Sequence, residues 1–281
     1  MNDTDRVWLV TGASSGFGRS IVEEALRRGD RVVATARRTD ALADLARSAP
    51  DRVLVSELDV TRHEQRTRVV SEALARFGAI DVLVNNAGYS ILGAVEETSD
   101  DEVRAAMEVL FFAPVALTRE VLPSMRARGR GTVVQITSVG GITTAPGFGP
   151  YCAAKHAVEA LSESLAAEVQ PFGVRVVIVE PGAFRTSLFG TAFRQMPAMD
   201  EYAPTVGAIR TWSASVAGAQ AGDPDKAARA IVDAVQVEGD IPLRLPLGGD
   251  AIDGIRAKLA RIAADVERAE PVARATAFDG T

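Results

Sequence analysis

Tyr151 and Lys155 stand four residues apart in a stretch of helical pattern, Tyr-Cys-Ala-Ala-Lys-His-Ala-Val. Side chains at that separation share one helix face, so a phenol and an ammonium can converge on one ligand. A free phenol titrates near pH 10, too high to lose its proton readily at neutrality, but a neighbouring cation favours the phenolate. The pair is therefore suited to acid–base work. Ser138 follows the apolar run Thr132–Ile136, and open parallel sheets place ligands beyond such strand ends, where its hydroxyl could hold a substrate oxygen. As a hydrolase nucleophile it would need a histidine. The two in the chain are His63, beside a helix start, and His156, about 100° round the helix from Lys155; both read as surface or packing residues. No group of His, Cys and carboxylates has ligand spacing, so no metal is expected.

Short runs rich in β-branched residues must position these groups: Val7–Val10, Arg31–Ala36, Val53–Ser56, Asp81–Val84, Thr132–Ile136 and Val174–Val179. Each reads as a buried strand. Between them lie helical spacings, such as Ile21, Val22, Ala25 and Leu26, or Val103, Met107, Leu110 and Phe111. Regular βα alternation predicts an α/β fold, a single doubly wound parallel sheet with helices on both faces. Helix starts are read at Thr61 with Glu64 and Ser99 with Glu102, as capping boxes, and at Asp223-Pro224. Residues 1–281 read as one domain. Residues 187–222 break the alternation as an insertion, and a C-terminal helix is expected at about 250–268.

The first strand runs into Thr11, Gly12, Ala13, Ser14, Ser15, Gly16, Phe17 and Gly18, then a helical pattern. Glycines let a backbone approach a pyrophosphate, and free N–H groups at the helix start attract its charge. The spacing Gly-x-x-x-Gly-x-Gly differs from the commoner dinucleotide fingerprint. It resembles the loop of the short-chain dehydrogenase/reductase family. Further motifs follow in that family's order: Asp59-Val60, Asn85-Asn86-Ala87-Gly88, Ser138, Tyr151-x-x-x-Lys155, and Pro181-Gly182 with Thr186, together spanning about residues 6–190.

The resemblance implies a Rossmann oxidoreductase that moves a hydride between nicotinamide and a carbonyl or alcohol carbon. It implies Ser138, Tyr151 and Lys155 as the catalytic set, with Tyr151 and Lys155 also touching the cofactor. It further implies that Gly12, Ser14, Ser15, Gly16, Phe17 and Gly18 hold the pyrophosphate side, Asp59 and Val60 the adenine, Asn86, Ala87 and Gly88 a ribose, and Pro181, Gly182 and Thr186 the nicotinamide end. On residue type alone, Asn85-Asn86-Ala87-Gly88 could be a simple turn and Pro181-Gly182 a strand terminator. A homodimer or homotetramer is the family's expectation. Family members commonly carry an asparagine in the helix before the Ser138 strand, whereas this chain has Leu110, four residues ahead of Pro114. Proline lacks an N–H, so the Leu110 carbonyl is expected to lose its helical partner and to be free for a water in the proton path.

An acid at the end of the second strand would bind the ribose hydroxyls of NAD, yet the chain reads Ala34-Thr35-Ala36-Arg37-Arg38. A 2′-phosphate calls for a guanidinium, and Arg37 is the candidate, so NADP(H) is expected in preference to NAD(H). Leu188, Phe189, Phe193, Met196, Met199, Tyr202 and Trp212 give the insertion an apolar character that suits a bulky or hydrophobic substrate as well as core packing.

Composition agrees with a soluble enzyme: 47% hydrophobic, 24% charged, and a net charge of -6 that argues against nucleic acid. The single Cys152 cannot form an internal disulfide and fits a reducing cytoplasm. The N-terminal stretch shows neither a signal peptide nor a membrane span. Two other readings stay open on the same sheet: a nucleotide-sensing regulator without turnover, and an epimerase or dehydratase, whose glycine spacing and C-terminal length differ.

Overall fold

The structure, a computed structural model, describes residues 5–237, 239 and 241–278. Its strands are β1 (Val7–Val10), β2 (Arg31–Ala36), β3 (Val53–Glu57), β4 (Val82–Asn85), β5 (Ser90–Leu92), β6 (Gly131–Ile136), β7 (Val174–Pro181), β8 (Phe193–Gln195) and β9 (Arg244–Leu247). The helices are α1 (Gly16–Arg27), α2 (Ala43–Ser48), α3 (His63–Phe77), α4 (Asp100–Met107), α5 (Ala113–Arg128), α6 (Gly149–Val169), α7 (Ala208–Val216), α8 (Pro224–Gln236) and α9 (Gly249–Arg274).

Seven strands form one parallel sheet in the order β3-β2-β1-β4-β6-β7-β9, while β5 and β8 pair apart from it. Alternate strand residues serve opposite faces. Trp8, Val10, Val32, Ala34, Val84 and Val177 pack with α1, α2 and α8, whereas Leu9, Val33, Leu83, Val133 and Ile178 pack with α3, α5 and α6. This is the doubly wound α/β sheet, buried on both sides as its near-continuous apolar strands require. Strand order reverses between β1 and β4, so the loops leaving their C-terminal ends diverge and open a crevice.

Several local expectations change. Thr61 does not cap α3: its hydroxyl donates to Asp59 (2.7 Å), and the N-cap is Arg62 with no side-chain cap. Ser99 does accept from the Glu102 N–H (3.3 Å), but the Glu102 carboxylate pairs with Arg194 and leaves the box half made. Asp223 caps α8 as expected, accepting from the N–H groups of Asp225 and Lys226. The helix near the C-terminus extends to Arg274 instead of ending near 268. Between α4 and α5 the chain forms a π turn, Glu108–Phe112, in which Ala113 N–H reaches the Glu108 carbonyl, so the distortion ahead of Pro114 is a widened turn.

Strand β9 was not visible as a strand, because Arg-Leu-Pro-Leu is short and carries a proline. An edge strand tolerates proline, which needs no donor on its open side. Strand β9 pairs with β7 from Ile178–Arg244 to Pro181–Leu247, and charge adds to that pairing. Arg244 reaches Glu159 of α6 (2.7 Å), Glu180 of β7 and Glu163, of which Glu159 and Glu180 are buried. Burial raises the Glu159 carboxyl above its ordinary value, and Arg244 works against that rise.

Replacing Arg244 with methionine leaves two buried carboxylates without their cation, which is expected to cost about 3–5 kcal/mol at pH 8. A carboxyl whose folded value is raised contributes most stability when protonated and loses it as pH rises through that value. Urea unfolding at pH 5.5 should therefore show a smaller loss than at pH 8. An equal loss at both values would mean that packing, not charge, is what Arg244 supplies.

Candidate active site

The glycine turn is built by contacts that only the folded chain makes. Thr11, at the end of β1, donates its hydroxyl to the Val84 carbonyl (3.2 Å) and accepts from the N–H groups of Asn86 (2.9 Å) and Ala87 (3.0 Å). The Asn86 amide returns two bonds, to the carbonyls of Thr11 (2.8 Å) and Gly12 (3.2 Å). These five bonds tie the two diverging loops together. Gly12 sits at φ +66 with no room for a side chain, since a Cβ there would lie 2.9 Å from the Ala87 Cα. The start of α1 has an extended N-cap, Ser15, with no side-chain cap and no acid in its first turn. Its free N–H groups suit an anion.

A cavity of about 1030 Å³ opens over this turn. Gly12, Ser14, Ser15, Gly16, Phe17, Arg37, Asp59, Val60, Asn86, Ala87, Gly88, Ser138, Tyr151, Lys155, Pro181, Gly182 and Thr186 all line it. Gly18 does not. It is buried one turn into α1, where a Cβ would lie 2.3 Å from the Gly12 carbonyl oxygen and 2.5 Å from the Asn86 amide nitrogen. Its missing side chain lets the helix sit against the turn. Arg37 and Arg38 are exposed at the cavity rim beyond β2, beside the buried Ala36. The Arg37 charge helps to lower the Asp59 carboxyl, although burial, the largest influence, opposes it.

Ser138, Tyr151 and Lys155 meet on one wall. Tyr151 and Lys155 are almost fully buried, at 7% and 8% exposure. Lys155 donates to the Ile136 carbonyl (2.8 Å), and its ammonium lies 5.8 Å from the centre of the Tyr151 ring. In the unliganded site burial sets the balance. Burial pushes Tyr151 up to about 12, against a downward pull from its hydrogen bond with Ser138. Burial likewise lowers Lys155 to about 8, with the Glu159 charge opposing it. Desolvation outweighs the Ser138 hydrogen bond at the phenol and the Glu159 charge at the ammonium, so the protonated phenol is the resting form of the unliganded site.

Glu159 was not singled out from the sequence, though it stands four residues beyond Lys155 on the same helix and that spacing was the available signal. The structure adds its partners, Arg244 and the wall of Gly141, whose missing side chain leaves space for the carboxylate. His156 Nδ1–H donates to the Cys152 carbonyl (2.8 Å), and His63 lies exposed near Glu120, so neither histidine joins Ser138. Leu110 is buried against Gly88, its side chain in the core.

Beyond Tyr151 the wall is aromatic. Phe148 packs edge-on to Tyr151 at 6.4 Å between ring centres, and Phe189 meets Phe193 at 5.4 Å and Trp212 at 5.7 Å. Phe189, Phe193 and Trp212 come from residues 187–222, which fold as the short β8, single turns and α7. The segment therefore lies beside the reacting groups, with Phe189 and Leu188 lining the cavity.

Comparison with known proteins agrees with this geometry. Residues 6–197 match the family model described as short chain dehydrogenase. A short-chain dehydrogenase structure from Streptomyces avermitilis is 51% identical, covers 98% of this chain and 100% of its own, and superposes with a TM-score of 0.92. Oxidoreductase BOA17 of Botryotinia fuckeliana (strain B05.10) is 38% identical over 88% of this chain and 90% of its own length. A short-chain dehydrogenase from Burkholderia cenocepacia J2315, solved in complex with NADP, is 27% identical with a TM-score of 0.72 over 95% of this chain and 98% of its own. With the glycine turn, the serine, tyrosine and lysine of the cavity wall and these matches in agreement, the chain belongs to the short-chain dehydrogenase family of oxidoreductases.

Proposed function

We propose that this protein is an NADP(H)-dependent reductase of ketone or aldehyde carbonyls in apolar, bulky substrates, working as a single dinucleotide-binding domain with residues 187–222 covering the substrate. The observation that carries the reading is the placement of Ser138, Tyr151 and Lys155 on one wall of a cavity whose floor is the glycine turn. The cavity suits a dinucleotide: Gly12 and Gly16 leave space that side chains would fill, and the first turn of α1 offers free N–H groups. A reduced nicotinamide bound there would supply the hydride.

The chain's own groups supply the proton. The Ser138 hydroxyl holds the substrate oxygen, and the Tyr151 phenol donates its proton to that oxygen as the carbonyl becomes an alcohol. A phenol pushed up to about 12 by burial is in the donating form at neutral pH, the form that reduction needs. Lys155, close to the ring, stabilises the phenolate that remains until solvent restores its proton. Leu188 and Phe189 line the cavity, with Phe148, Phe193 and Trp212 packed around Phe189, and this apolar cluster supports the substrate class.

NADPH is favoured because Ala36 offers no carboxylate to the ribose, while the Arg37 guanidinium stands free at the rim among the described residues. The NADP complex of the Burkholderia cenocepacia relative is consistent with that choice.

Two measurements test the reading. Tyr151→Phe should lower carbonyl-dependent NADPH oxidation, followed at 340 nm over ketones, aldehydes and quinones, by about 10²-fold or more while NADPH affinity stays within about threefold. Activity above a tenth of the starting value would remove Tyr151 from the acid's role. In fluorescence titrations NADPH should bind at least about tenfold tighter than NADH, a difference of about 1.4 kcal/mol, and Arg37→Ala should erase most of it. Equal affinities in the unaltered protein would overturn the cofactor assignment.

A further inference from the structure

Helix α9 rests on the domain only at its start. Ala251 is buried, and Gly254 passes close to Val139 and Thr143, but every residue from Leu259 to Arg274 is exposed. That stretch includes Leu259 at 56%, Ile262 at 44% and Val266 at 62% exposure. A lone helical arm of this length is marginal in water, because helices in proteins take most of their stability from packing an apolar face. Intrahelical pairs such as Arg268–Asp265 and Arg274–Glu270 contribute only a few tenths of a kcal/mol each and do not account for an apolar stripe.

The stripe has a definite period. Ile252, Ile255, Leu259, Ile262, Val266, Ala269 and Ala273 follow spacings of three and four in strict alternation, the pattern of a coiled-coil seam. Its first two members are half-buried at the domain and the rest run into solvent. Charge over the whole helix is balanced, with Asp250, Asp253, Arg256, Lys258 and Arg261 in the first half and Asp265, Glu267, Arg268, Glu270 and Arg274 in the second, so the residues flanking the seam decide orientation. Laid parallel, two such helices set Asp265 of one against Glu270 of the other. Laid antiparallel, they set Lys258 against Asp265.

We propose that α9 is the contact between two copies of this chain, packed antiparallel about a two-fold axis between Ala260 and Arg261. In that register Leu259 of one copy faces Ile262 of the other, Ile255 faces Val266, and Ile252 faces Ala269. Lys258, flanking the seam, meets Asp265 of the other copy, twice by symmetry. A membrane surface is the poorer occupant. The helix carries five carboxylates against five cations, with Asp265 and Glu267 on either side of Val266, where an interfacial helix would be basic.

The test uses the full chain in sedimentation velocity and light scattering. Leu259→Glu with Ile262→Glu should halve the number of subunits while the melting curve of the domain persists. Lys258→Glu alone and Asp265→Lys alone should each weaken association by about tenfold, and the two together should return it to within about threefold, because the pair is then reversed and intact. An unchanged mass in the double glutamate variant would overturn the proposal, as would failure of the reversed pair to restore assembly. Flotation of the protein with phosphatidylcholine–phosphatidylserine vesicles, lost in the double glutamate variant, would assign the stripe to a membrane and overturn it equally.

Discussion

A parallel sheet offers a ligand crevice only where neighbouring strands send their chains in opposite directions, and a crevice made by divergence tends to fall open. Thr11 and Asn86 close it. One hydroxyl and one amide span the loops after β1 and β4 with five hydrogen bonds, in addition to the backbone bond from the Thr11 N–H to the Val84 carbonyl. Gly18 completes the arrangement from below by letting α1 approach the same amide. The shape of the floor, the free helix start and the positions of the residues lining both follow from that knot.

Tyr151 and Lys155 are buried in the wall beside that floor, and desolvation governs their chemistry. Tyr151 is held as a phenol and Lys155 loses part of its preference for charge, because burial costs the ionised forms more than Ser138 and Glu159 return. Behind them Glu159 keeps an opposite charge within influence of Lys155 and is itself answered by Arg244 from the edge strand. The electrostatics of the site thus reach the far edge of the sheet, through a residue whose strand looked like a loop. A site of this kind is set for proton donation, and the aromatic wall beyond Tyr151 keeps the surroundings dry.

The chain also leaves one apolar feature outside this economy of burial. The exposed seam of α9 has the period of a coiled-coil face. The helix meets the domain at Gly254, beside Val139 in the turn that follows Ser138.

Much of this was legible in the chain alone, for identifiable reasons. Strands buried on both faces must be apolar throughout, so β1, β2, β3, β4, β6 and β7 could be read with errors of a residue or two at their ends. The alternation with helices then dictated the sheet. Tyr151, Lys155, Ser138 and the glycine turn were legible because their spacing is short and their chemistry depends on it. What only tertiary structure decided are matters of distance between segments remote in sequence. Strand β9 pairs with β7, and there Arg244 meets carboxylates from α6 and β7. Gly18 lies against an amide from the β4 loop, and Thr61 answers Asp59 rather than its own helix. Above all, the sequence placed an ammonium beside a phenol but could not say how buried the pair would be. Desolvation is a property of everything packed around a group, and in the unliganded site it pushes the phenol up.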